Sequence, residues 1–295
     1  MDQAERLRNI IKKQDLQPEK ERVAKVITVT SGKGGVGKTS LSVNLAIWLS
    51  RMGKRVVIFD ADFGLANIEI MLGIRPKYNL ADLMYRGKKI EDIITYGPEG
   101  VGFISGGSGI NELTNLSREQ VFSLIQKLDD LDQMADVILV DTGAGISDTV
   151  LEFVAASEDV VLVATPEPTS ITDAYALMKT LNRRNSQKSE ETVVKIVANQ
   201  VREGSEADEL FEKMGMVVEK FLDIKVEFLG SIPYDRNMQK AVMRQVPVTI
   251  SRPEGEAARA VRRIAFGIEE QLVQEEEHAG IVRLFSRVIR MRFMR

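Results

Sequence analysis

A predominantly parallel, twisted α/β sheet with helices on both faces is the fold class this sequence predicts, on three observations. Apolar runs of strand length recur along the chain, stretches of helical periodicity separate them, and a glycine-rich segment joins the first run to the first helix. The runs are KVITVT at 25–30, RVVIFD at 55–60, DVILVD at 136–141, DVVLVAT at 159–165, VVKIVAN at 193–199 and VEFLGSIP at 226–233. They are continuous rather than alternating, as strands buried on both sides must be. Helices are predicted at Ser40–Met52, Arg118–Leu131, Ser170–Arg184 and Ala207–Leu222. Ligands of such sheets sit at the carboxyl ends of the strands.

The 295 residues are enough for one large core, and a hydrophobic fraction of 44% with 28% charged residues is ordinary for a globular chain. With no cysteine, disulfides, thiolate-bound zinc, iron–sulfur clusters and thiol nucleophiles are excluded together. The charged start MDQAERLRNIIKK is no signal peptide, and no run has the length of a spanning helix, so a cytoplasmic protein is expected. A net charge of −3 argues against direct nucleic-acid binding. Three units are expected: a polar segment at 1–22, the α/β domain at 23–272, and an acidic linker with a basic tail at 273–295.

The first strand runs into SGKGGVGKTS, where Gly32, Gly37, Lys38 and Thr39 have the spacing of a phosphate-binding loop just before a helix. Gly32, Gly34, Gly35 and Gly37 let backbone N–H groups turn inward around a phosphate, with Val36 and Ser40 completing the loop. Lys38 neutralises β and γ phosphates, and the Thr39 hydroxyl is a candidate Mg²⁺ ligand. Lys33 is not needed for that cradle. Asp60 and Asp62 end the second strand and Asp141 ends the third, all at the edge that carries the loop. Asp141 suits a carboxylate that holds the Mg²⁺ shell through water; a capping role is the alternative for Asp141 and for Asp60.

With KGGVGKT at 33–39, the chain from about 24 to 270 resembles the deviant Walker A ATPases, the MinD and ParA group. The resemblance implies that Lys33 reaches a partner's nucleotide across an ATP-dependent homodimer. It gives Asp62 the attacking water and Asp60 the switch near Mg²⁺, and it places Asn199, Pro233, Tyr234 and Asp235 around adenine. ATP, ADP and Mg²⁺ are the implied ligands. MinD proteins usually have proline where this chain has Gly143.

On a helix, Ile281, Leu284, Phe285 and Val288 share one face, with Ile289 beside them, while Arg283, Arg287 and Arg290 lie opposite. That is the pattern of an interfacial helix on anionic lipid; packing against the protein's own core is the alternative. At the other end Asp2, Gln3, Ala4, Leu7 and Arg8 form the pattern D-Q-A-x-x-L-R, by itself only a capped polar helix start. Ahead of this core it is similar to the FlhG family, also called FleN or YlxH. That likeness implies activation of an FlhF-type GTPase, contact with flagellar switch-ring proteins, and peripheral binding to the inner face of the cell membrane in the ATP state.

Overall fold

The computed structural model describes residues 23–62, 67–106, 127–185, 193–274 and 280–293, with side chains in the last helix described as far as Val288. Asp2, Gln3, Ala4, Leu7 and Arg8 lie outside the described residues, as do the side chains of Ile289 and Arg290. Of the helix expected at 118–131, residues 127–134 are described and are helical.

In chain order the elements are β1 (Lys25–Ser31), α1 (Lys38–Arg51), β2 (Val56–Ala61), α2 (Asn67–Leu72), α3 (Leu80–Tyr85), α4 (Ile90–Ile93), β3 (Thr95–Tyr96) and β4 (Gly102–Ile104). The second half follows as β5 (Val137–Ala144), α5 (Asp148–Ala156), β6 (Asp159–Ala164), α6 (Pro168–Asn185), β7 (Val193–Val201), α7 (Gly204–Phe221) and β8 (Lys225–Pro233). After β8 come α8 (Arg236–Met243), α9 (Val248–Ser251), α10 (Glu256–Gln274) and α11 (Gly280–Phe293).

The eight strands form one sheet in the order β3-β4-β2-β5-β1-β6-β7-β8, parallel except for the β3–β4 pair. β1 sits between β5 and β6, so the chain winds outward from it in both directions and the crevice at its carboxyl end is the topological switch point. One face of the sheet packs Val29, Ile58 and Leu139 against Leu45 of α1 and Val261 and Ile264 of α10. The other packs Val26, Phe59 and Ile138 against α3, α4 and α11, continuing toward β6 and β7 under α5, α6 and α7.

Of the expected tail, the described helix α11 packs into that second core as far as Val288. Ile281, Leu284, Phe285 and Val288 of α11 are buried among Phe59 and Phe153, the Phe285 ring standing edge-on to both with centroids 5.3 and 5.5 Å away. An apolar stripe of this period serves a sheet as well as a bilayer. The start of α11 is pinned as well: Asp132 accepts from the backbone N–H of Ile281 at 2.7 Å and of Val282 at 3.3 Å. Gly280 has φ +70°, and a Cβ there would lie 2.4 Å from the Asp132 carboxylate, so glycine is required at this helix entry. Arg283 and Arg287 both pair with Glu158 at 3.2 Å. Among the described residues no helix is long and apolar enough to cross a membrane.

Candidate functional site

Between β1 and α1 the loop closes as its glycines require. Gly35 and Gly37 have φ of +78° and +95°, a region that costs other residues strain. Gly32 is needed for another reason, since a Cβ on it would lie 2.3 Å from the backbone of Asp173 in α6. Lys38, first residue of α1, is buried with its Nζ 3.1 Å from Asp141 Oδ1. The other Asp141 oxygen accepts from Thr39 Oγ1 at 2.7 Å, and Ser42, one turn along α1, donates to Oδ1 at 2.9 Å. Ser42 was not among the expected site residues; its position one turn after Lys38 is the signal that points to it.

Asp60 and Asp62 stand beside this group on the next strand, Asp60 in register with Asp141. Burial, reinforced by the neighbouring Asp141 charge, pushes the Asp60 carboxyl up to about 8. Burial also raises Asp62, against the pull of Lys38. Asp62 accepts from Asn67 Nδ2 at 3.0 Å, which ties it to the start of α2. Gly143 fits the same space: a Cβ there would come 3.3 Å from Asp62 Oδ1, so the small residue leaves that carboxylate room.

Three aspartates gathered at one buried ammonium, with Asp60 held protonated by burial and by its neighbours, form a site that favours added positive charge. Among the described residues no three acidic or imidazole side chains make a ready metal cage. Mg²⁺ needs none, since it takes one or two protein oxygens, phosphate and water. Thr39 and Asp141, already joined, fit its hydroxyl and outer-shell positions, and the glycine loop fits a phosphate chain.

Lys33 points away from this cluster. Its Nζ donates to Glu167 Oε2 at 3.0 Å and Thr169 Oγ1 at 2.9 Å, on the exposed lead-in to α6. Asn199, the expected adenine reader, contacts the phosphate loop. Its Nδ2 donates to Val36 O at 2.7 Å and its Oδ1 accepts from Gln200 N at 2.9 Å, so the amide braces the phosphate loop. The reason is proximity: a Cβ on Gly37 would lie 2.3 Å from that amide nitrogen. Tyr234 and Asp235 line an open cleft of about 690 Å³ with Arg236, Arg252 and Pro253, while neighbouring Pro233 closes β8. Tyr234 also carries the Arg202 guanidinium 5.2 Å from its ring centroid.

A parallel sheet, a glycine loop running into a helix, and a buried lysine–aspartate pair at the switch point define a P-loop nucleotide-binding protein. The ParA family, described as NUBPL iron-transfer P-loop NTPase, matches residues 22–269. The chain belongs to this ParA and MinD family of P-loop NTPases, and within it to the FlhG branch. It is 44% identical over 240 residues to the antiactivator FleN of Pseudomonas aeruginosa, covering 81% of this chain and 84% of that protein. It is 36% identical over 209 residues to the flagellum site-determining protein YlxH of Helicobacter pylori, covering 70% and 69%. In fold it is similar to the cell division ATPase MinD of Pyrococcus furiosus, with a TM-score of 0.68 at 23% identity over 84% of this chain and 99% of that one.

Proposed function

We propose that this chain is a Mg²⁺-dependent ATPase whose ATP-bound form dimerises face to face and whose hydrolysis resets it. The observation that carries the reading is the separation of the two loop lysines. Lys38 is buried on Asp141 inside the phosphate cradle, while Lys33 stands at the exposed rim on a surface pair with Glu167. Exposed pairs contribute at most about 1 kcal/mol, so Lys33 can leave Glu167 for a partner's phosphates at little cost. Bound Mg²⁺ would supply charge neutralisation across the phosphates, held through Thr39 and Asp141. Asp62 then orients the attacking water, and Asp60 supports the switch that leads through Asn67 into α2.

The output is control of flagellar number and placement, as the relatives FleN and YlxH support. Residues 1–22, with Gln3 in the D-Q-A-x-x-L-R pattern, engage an FlhF-type GTPase, and flagellar switch-ring proteins are further partners. In the ATP state α11 meets anionic lipid at the inner face of the cell membrane, which requires it to leave the core where its apolar face is buried. Light scattering on an Asp62→Ala variant tests the switch: ATP should double the mass seen with ADP. Equal masses would remove the dimer on which the reading depends.

A further inference from the structure

The pairing of β7 with β8 slips by one residue: Asn199 faces Ile232, Val201 faces Pro233, and Gln200 between them has no partner across the ladder. Gln200 is the extra residue of a β-bulge, with φ +61°, a left-handed conformation that a long side chain rarely adopts. In a regular strand residues 199 and 200 would point to opposite faces of the sheet. The bulge cancels that alternation. Asn199 Nδ2 donates to Val36 O at 2.7 Å and Gln200 Nε2 donates to Gly35 O at 3.3 Å, so consecutive carboxamides hold consecutive carbonyls of the phosphate loop.

From this geometry we infer that Gln200 is a positioning residue for nucleotide binding, an inference that rests on the ATP-site reading above. Its amide fixes the Gly35 carbonyl outward, which leaves the loop N–H groups turned inward toward phosphate. Gly35 has no side chain with which to hold that orientation, and its own φ of +78° is one of several open to glycine. The same bulge ends in the hydrogen bond from Tyr234 N to Val201 O at 2.8 Å, so the base-side loop and the phosphate loop are both attached to it. A residue held in a strained conformation beside a ligand site is where such a constraint is expected.

Calorimetry of ADP binding tests this on the full chain with three variants. Gln200→Glu keeps the length and removes the donor, Gln200→Gly removes the amide and accepts the positive φ, and Gln200→Asn keeps an amide on a residue that tolerates left-handed backbone. Glu and Gly variants should lose about tenfold in ADP affinity, the effect of one hydrogen bond, with Asn between them and wild type. Thermal unfolding of the nucleotide-free Gly variant should match or exceed wild type, because glycine relieves the strain. ADP affinities of all three within twofold of wild type overturn the inference, and so does a Gly variant that binds like wild type while Glu is weak. A wild-type chain that binds no ADP overturns the nucleotide reading itself.

Discussion

Asp60 shows how strongly the site is set up for a ligand it must share with Asp62 and Asp141. Its carboxyl sits at about 8 because burial and the Asp141 charge both oppose ionisation, against an ordinary value of 3.8. Folded protein therefore keeps a proton that the unfolded chain has released. The resulting stability is complete below about pH 4 and is lost as pH rises through 8. Asp60→Asn should flatten this dependence and, at pH 8.5, make the nucleotide-free protein more stable by on the order of 2 kcal/mol. Urea unfolding at pH 5 and 8.5 measures it. A variant with the wild-type pH slope would show that Asp60 is not the titrating group. The gain should come with a loss of Mg²⁺-dependent turnover, the usual opposition between stability and a strained site.

In the proposed switch the last helix, α11, exchanges the core for the bilayer. Burying Ile281, Leu284, Phe285 and Val288 stabilises the docked form by roughly 6 kcal/mol or more, but a bilayer offers the same apolar transfer. When the large terms nearly cancel, the small ones decide, and here those are the Asp132 cap and the Glu158 pairs. Asp132→Ala should cost about 1 kcal/mol of docking, and together with Glu158→Ala should raise liposome binding several-fold with ADP. Sedimentation with anionic vesicles reads this directly. Unchanged pelleting would mean that α11 is a fixed core helix. Phe285→Glu would be a poor test, since it buries a charge between two aromatic rings and endangers the fold. The packing of α11 also marks how far the sequence could be read. Five of the six long strands were legible because burial on both faces leaves continuous apolar runs; β8, at the sheet edge with only Ile232 buried, was legible from its length and from the turn residues that follow it. The apolar stripe of α11 was legible, but its partner was not, because hydrophobic periodicity is blind to what covers it. Helix α5 gives a weaker signal for the opposite reason: from Val150 to Ala156 it is buried all round, Glu152 included. The bulge at Gln200 left no compositional sign at all, since the usual glycine or asparagine is absent from that position.

At the scale of the whole molecule the proposed switch divides the labour of the two loop lysines between one subunit and two. Lys38 is enclosed, 7% exposed, on a fully buried Asp141, and without it that carboxylate would stay unpaired beside Asp60 and Asp62. Lys38→Ala should therefore abolish ADP and ATP binding alike, because phosphate would meet the buried Asp141 carboxylate with no ammonium beside it. Lys33 has a side chain 38% exposed and, among the described residues, bonds Glu167 and Thr169 at the rim. Removing it deletes a surface contact and nothing in the cradle. Lys33→Ala should keep ADP affinity within about twofold of wild type, the range expected when only a surface pair is lost. It should still fail to dimerise with ATP, since the missing charge matters only when a second subunit's phosphates approach. A Glu167→Ala variant should behave oppositely, freeing Lys33 and shifting the dimer midpoint to lower ATP concentration. Calorimetry with ADP and light scattering across an ATP series separate these outcomes. Equal loss of ADP affinity in the two lysine variants would place Lys33 inside its own subunit's cradle and end its role across the dimer.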